Sequence, residues 1–416
     1  MTEKALDVEK NPIREILALR DYRLFWGAQL LITLIQGISR FAFVWLALEI
    51  STSATVVALL GLSLGIPGLL FSLPAGAAAD RLDKQKIIIY ISLLGVFFLG
   101  MTSALIQYDI INLPLALIVA FGTGSVISIL IPVLQAMIPQ LVPADRLMSA
   151  VGLQNMGQGG ATILGALIGG GAIKLFGLAA AFGLFAIIML LGSILIWFVK
   201  LSTSQPATSI ESKQNNSLVN DIATGLKYVS LHPQLRILIS IGILMGFGIG
   251  SYSLLLPEIA KNELLLDSFE TSSLLAFFST GMIITSVFIA SKSNISRKGL
   301  IFAIAANCFG PGLIIIGFLS NYLLILTVMI IWGGCGGVML TMQRTLLYNY
   351  TSEHMQGRVF ALFSLVLHGF LPIAAIFIGI SRIWLNPTNT LIVIGTIALI
   401  GILVITTRAS SLRQGI

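Results

Sequence analysis

The chain has 416 residues, 56% of them hydrophobic and only 10% charged, with a mean hydropathy of +0.99; a soluble domain carries roughly 25% charged residues. This composition excludes a soluble globular enzyme and indicates an integral membrane protein. The net charge of +7 is no sign of a nucleic-acid partner, because the basic residues sit between apolar runs rather than in a patch, and the two cysteines, Cys308 and Cys335, both fall inside such runs, giving neither a disulfide framework nor a metal-ligand spacing.

The first 23 residues are charged and polar without a small-residue cleavage site, so the first apolar run is expected to act as the insertion signal. A bilayer core of ~30 Å takes ~20 helical residues, and the first half contains six such spans: Leu24–Leu48, Val56–Ala79, Ile87–Ile106, Leu113–Leu134, Met148–Ile173 and Leu178–Val199. At 100° per residue, Gln29, Thr33, Gln36 and Arg40 of span one fall within about 60° of one another, a polar stripe that Gly37 continues. A charge at this depth costs from ~2.5 to more than 10 kcal/mol in lipid, so Arg40 must face water or a partner. The nearest acids, Glu49 and Glu258, lie at span ends. Arg40 therefore either reaches toward Glu49 or capping carbonyls, or binds an anionic or zwitterionic group of a substrate.

The loop between spans two and three reads AGAAADRLDKQK, Ala75 to Lys86, with Gly76, Asp80, Arg81 and Lys84 in a basic, glycine-containing turn. Its carboxylate can face the positive end of a helix from elsewhere in the fold. In span five, Gln154, Gln158 and Thr162 form a second stripe that either binds substrate or joins helices, and Gly152, Gly165, Gly169 and Gly170 allow close helix packing. After span six, LSTSQPATSIESKQNNS reads as a polar linker. An amphipathic helix along the membrane surface is expected next, with Leu218, Ile222, Leu226 and Val229 on one face.

Six further spans follow: Ile237–Leu256, Ser272–Ala290, Leu300–Leu319, Tyr322–Met342, Phe360–Ile380 and Leu391–Thr407. The run GGCGG, Gly333 to Gly337, suits tight packing. His368 lies about ten residues into span eleven, with Ser364 one turn earlier on its face. Histidine titrates in the physiological range, so His368 is either a proton carrier or a hydrogen-bonded packing residue. Gln135 and Asp145 echo Gln343 and Glu353 at an offset of 208, with Val151 and Val359 in register. The expected organisation is a six-helix bundle over 1–200, a linker over 201–235 and a second six-helix bundle over 236–416, the design of a rocker-type carrier with its site near the midplane. Of 24 Lys and Arg, only Lys174, Lys261 and Arg382 fall on the outer side and Arg40 inside a span. The remainder lie on one side, which places both termini in the cytoplasm.

Three further segments share the character of the Gly76–Lys86 loop. LRDYRLFWGAQL opens span one, GLKYVSLHPQLR enters span seven, and Gly357-Arg358-Val359-Phe360 opens span eleven. Together they resemble the major facilitator superfamily, in the branch of macrolide and enterobactin exporters classed as drug:proton antiporters of type 3. The resemblance implies an all-α membrane fold of twelve helices in two pseudo-symmetric bundles, a monomer in the bacterial inner membrane, and a cytoplasmic gate of Gly76, Asp80, Arg81, Lys84, Gly357 and Arg358. It also implies proton-coupled outward transport by alternating access. Span five departs from the family's antiporter motif: Ala161 stands for a glycine and Ala166 for the proline. The expected cargo is a small amphipathic anion or zwitterion, siderophore-like or antibiotic-like, bound by Arg40, Gln36, Thr33, Gln154, Gln158 and His368. Import of such a solute, or flipping of a lysophospholipid, is the alternative. The partners are substrate, lipid and protons, with no nucleic acid and no cofactor; His232, His354 and His368 are not spaced to build an enzyme site.

Overall fold

Backbone inside hydrocarbon must satisfy its own hydrogen bonds, which in a single segment only a helix achieves. The computed structural model describes residues 16–51, 53–143, 147–200, 218–290, 297–352 and 355–408, and their regular structure is entirely helical. The first bundle holds α1 (Arg20–Ile50), α2 (Ala54–Arg81), α3 (Lys84–Gln107), α4 (Leu113–Met137) and α5 (Leu147–Trp197). After the linker come α6 (Leu218–Leu231), α7 (Pro233–Asn262), α8 (Ser268–Ala290), α9 (Lys298–Asn307), α10 (Phe309–Phe318), α11 (Tyr322–Tyr350), α12 (Gln356–Gly369), α13 (Leu371–Ser381) and α14 (Pro387–Arg408).

Ten segments among the described residues are long and apolar enough to cross a membrane, and α2 adds a shorter apolar stretch, Thr55–Phe71. The 51 residues of α5 would run about 76 Å if straight. They fold back at Gly177, whose φ of 80° and ψ of 167° belong to a region essentially reserved for glycine. The two legs of α5 are spans five and six, so all twelve predicted spans are present. Spans nine and eleven, expected to be continuous, are each broken. Span nine divides into α9 and α10 at Cys308, and span eleven into α12 and α13 at Phe370. Proline has no N–H, so Pro311 cannot donate to the carbonyl of residue 307, nor Pro372 to that of residue 368.

The packing order repeats. Span one lies on span five, where a Cβ on Gly165 would stand 2.6 Å from the Leu34 carbonyl, and Tyr22 donates to the Ala150 carbonyl at 3.0 Å. Span two lies on span four, with Gly124 against the Leu64 carbonyl. Span three lies on span six, where Ser103 donates to Ala179 and Gln85 to Ile196. In the second bundle span seven packs on eleven, eight on ten and nine on twelve. This order, 1–5, 2–4, 3–6 and then 7–11, 8–10, 9–12, is the pseudo-symmetry that the 208-residue echo anticipates. The echoed side chains have nonetheless diverged: Gln343 is buried and donates to the Leu238 carbonyl at 2.8 Å, whereas Gln135 is exposed. The run at Gly333 is a packing seam, since a Cβ there would lie 1.9 Å from the Phe278 carbonyl of α8.

The amphipathic helix is α6, but its buried face differs from the expected one. It docks on the second bundle through Gly225 against the Arg358 backbone, through Tyr228, whose hydroxyl lies 3.1 Å from that of Ser352, and through buried Val229. Leu226 is 56% exposed, and the side chains of Leu218 and Ile222 lie outside the described residues. A close crossing over α12 requires the small residue, so Gly225 rather than Leu226 sets the docked face.

Candidate substrate site and far-face closure

The near face is the one where α1 begins and α14 ends; the opposite one is the far face. In α1, residues Phe41–Leu48 are buried without interruption, as are Leu254–Ala260 of α7. Both runs lie in the far halves of their helices. The contacts between the bundles gather there: Gly61 against Leu254, Gly65 against Leu371 and Pro372, Gly379 against Ala58, and Gly170 against Ser268 and Ser272. The far end is thus sealed by side-chain packing.

Arg40 sits immediately beneath this seal, about 15 Å below the far end of α1 at 1.5 Å per residue. It is exposed although protein surrounds it deep in the fold. A side chain can be both only if it faces a space inside the molecule. Among the described residues no carboxylate pairs with Arg40. The expected reach to Glu49 does not occur, because Glu49 is held by Lys261.

Of the other residues expected around it, Gln36 and Gln158 are half-buried, while Thr33 and Gln154 are buried and offer no surface to a ligand in this state. Gln29 is buried too, and its side-chain oxygen has no partner. The backbone of His368 belongs to α12, one turn before Pro372; its side chain, with those of Thr162 and Ser364, lies outside the described residues. The same holds for the side chains of Gly76, Asp80, Arg81 and Gly357 in the expected gate. Lys84 is half-buried beside Asp83, which caps α3 by accepting from the Lys86 amide at 3.2 Å. Arg358 is half-buried and donates to the Met355 sulfur.

The far face holds what the sequence analysis treats only as topological markers. Each of the three cations there is held by an acid. Lys261 of α7 donates to Glu49 at 2.6 Å and to the Leu48 carbonyl at 3.2 Å, and lies 4.9 Å from the centre of the Trp45 ring. Lys174 of α5 meets Asp267 at 2.6 Å. Arg382 meets Glu258 at 2.8 Å. The first two pairs join the bundles; the third is internal to the second bundle, with Glu258 only 1% exposed. Asp267 also accepts from the amides of Phe269 and Glu270, while Glu270 accepts from the Asp267 amide, a capping box for α8. Partial burial pushes the Asp267 carboxyl upward, but Lys174 and these amides outweigh it and hold it below the usual range. Glu49 of the first pair and both members of the second, Lys174 and Asp267, border a vestibule of about 720 Å³ that also reaches Trp45, Asp109 and Gly177. The sequence signal for this arrangement is faint: opposite charges at the outer ends of spans one and seven, and of five and eight.

Cys308 and Cys335, in spans nine and ten, are neighbours whose thiols interact. They line an apolar groove of about 570 Å³ between α8, α9 and α11, away from Arg40. Among the described residues no group of three metal-ligating side chains occurs.

Two pseudo-repeated helical bundles, closed at one face around an internal basic group, define a multi-pass membrane carrier. The chain belongs to the Major Facilitator Superfamily, whose family profile matches residues 25–375. It is a membrane transporter. Similar folds include a bacterial homologue of the human lysosomal transporter Spinster in an inward-facing, occupied conformation, at TM-score 0.67 and 14% identity, covering 98% of this chain and 99% of that one. The nucleoside transporter NupG matches at 0.66 and 11% over 95% and 99%. The peptide transporter POT in complex with sulfate matches at 0.70 and 13% over 97% and 99%. No curated protein matches the sequence.

Proposed function

We propose that this transporter exports a small amphipathic anion or zwitterion, siderophore-like or antibiotic-like, across the bacterial inner membrane by alternating access. The observation that carries the reading is Arg40, exposed beneath a sealed far end and unpaired with any described carboxylate. A cation in that position costs energy until an anion joins it, so the site favours a negatively charged group and disfavours cationic drugs. The basic near face becomes the cytoplasmic one by the charge bias, which makes this state open to the cytoplasm and ready to load cargo for export. Residues 1–200 rock against 236–416, and the Asp80 loop latches against Gly357 and Arg358 when the near side closes. Protons supply the drive, with His368 at the break in span eleven as carrier. Import of the same class of solute uses the same states in reverse order.

The test is uptake into inside-out vesicles of anionic siderophores, anionic antibiotics and lysophospholipids, with and without a proton gradient. Gradient-driven entry of an anionic solute is expected in wild type and its loss in Arg40→Ala, with Arg40→Lys intermediate. Normal transport by a correctly inserted Arg40→Ala would refute the assignment of Arg40, and uptake driven only in right-side-out vesicles would reverse the direction.

A further inference from the structure

The far-face ion pairs do more than satisfy charges. Lys261 places its ammonium on three groups of one helix end: the Glu49 carboxylate, the Leu48 carbonyl and the Trp45 ring. That end is the negative pole of α1, where a cation is favoured. Between it and Arg40 lies the uninterrupted buried run Phe41–Leu48, a rigid rod of about 12 Å. On the other flank of the vestibule, Lys174 reaches from the reversal of α5 to Asp267 at the start of α8, and Ser268 donates to the Gly170 carbonyl at 2.9 Å. The Lys261–Glu49, Lys261–Leu48, Lys174–Asp267 and Ser268–Gly170 links all join the two bundles within this cluster.

We infer that Lys261 is the positioning residue of the far gate: with Lys174–Asp267 as second clasp, it holds the far mouth shut by gripping the end of the helix that carries Arg40, and release of the two pairs is the step that opens that mouth. The inference rests on the alternating-access reading. The exposure of the groups sets the strength of the clasp. Lys261 and Glu49 are 22% and 50% exposed, Lys174 and Asp267 49% and 37%. Exposed pairs of this kind shift an equilibrium by no more than roughly fivefold each, and they are screened by salt. A clasp of that size biases the resting state and still yields in every cycle. The buried Arg382–Glu258 pair, which does not cross between the bundles, is the fixed post behind it.

The experiment needs no transported solute, so its failure leaves the Arg40 assignment standing, and loss of that assignment leaves this result readable. Spin labels at Ile110→Cys and Ile383→Cys, both exposed far-face positions on opposite bundles, report the width of the far mouth by pulsed electron-electron resonance. The protein is held in lipid nanodiscs, on a Cys308→Ala, Cys335→Ala background. Wild type should show mainly the short distance at low salt and a several-fold gain of a longer one at high salt. Lys261→Ala and Asp267→Ala should each raise the longer population up to about fivefold at low salt and weaken its salt response. The double variant should multiply the two effects, because the pairs share no partner. Lys261→Arg should resemble wild type, because a guanidinium can still donate to Glu49 and the Leu48 carbonyl. Unchanged, salt-insensitive distributions in the single and double variants would overturn the inference, as would a wide far mouth in Lys261→Arg in a protein whose melting temperature matches wild type.

Discussion

At the scale of single residues, the described acids and bases divide by what surrounds them. Glu258 and Arg382 are a buried pair in which Glu258 keeps one oxygen, and Arg382 its Nε, without a partner. Removing one member of such a pair strands the other and costs about 3–5 kcal/mol, whereas removing both leaves no orphan charge. Arg382→Ala is therefore expected to lower the melting temperature more than the double variant Glu258→Ala, Arg382→Ala, read by thermal unfolding in detergent. Asp267 behaves differently because it is partly solvated. Its carboxyl is held below the usual range by Lys174 and the amides of Phe269 and Glu270, against the opposing effect of its burial. A lowered carboxyl stabilises the clasped state fully above about pH 4 and loses that contribution as pH falls through its own value. Acidification below about pH 4 should then widen the far mouth in wild type, and Asp267→Asn should start from a larger open population and respond less.

At the scale of elements, small residues decide where helices touch. Gly333 and Gly170 both face backbone that a Cβ would strike, the Phe278 carbonyl at 1.9 Å and the Ser268 carbonyl at 2.4 Å. Their settings differ: Gly333 lies within the second bundle, and Gly170 lies between the two. In a membrane, packing rather than hydrophobicity holds helices together, so each alanine should register where its contact is. Gly333→Ala is expected to lower thermal stability with the far-mouth distance unchanged. Gly170→Ala should push the bundles apart and raise the open population with little loss in melting temperature. The proline breaks have a different cause. Span eleven loses the donor to residue 368 at Pro372, which places its break beside His368.

At the scale of the whole molecule, the far end is packed shut while Arg40 below it stays exposed. Access should be one-sided. With Arg40→Cys on the Cys308→Ala, Cys335→Ala background, a membrane-impermeant maleimide should label the residue from the near face and not from the far face. Equal labelling from both would contradict the seal made by Phe41–Leu48 and Leu254–Ala260.

Much of this was legible in the primary structure. Hydropathy gave twelve spans because the requirement for about twenty apolar residues per crossing is local. The position of Arg40 on a polar stripe was also local, a matter of helical period. Gly177 as a reversal point, the docking face of α6 through Gly225, and the breaks before Pro311 and Pro372 were within reach of residue chemistry but needed a neighbour to make sense. The pairing of Lys261 with Glu49 and of Lys174 with Asp267 was legible only as opposite charges at outer span ends. Residues more than two hundred and about ninety positions apart meet only because two bundles close on each other. By itself the sequence determined the number of membrane spans, their order and which side carries the positive charge, since insertion reads each segment alone. Only the tertiary structure decided which mouth is shut and which charges shut it, because closure is a contact between bundles and depends on the arrangement they adopt.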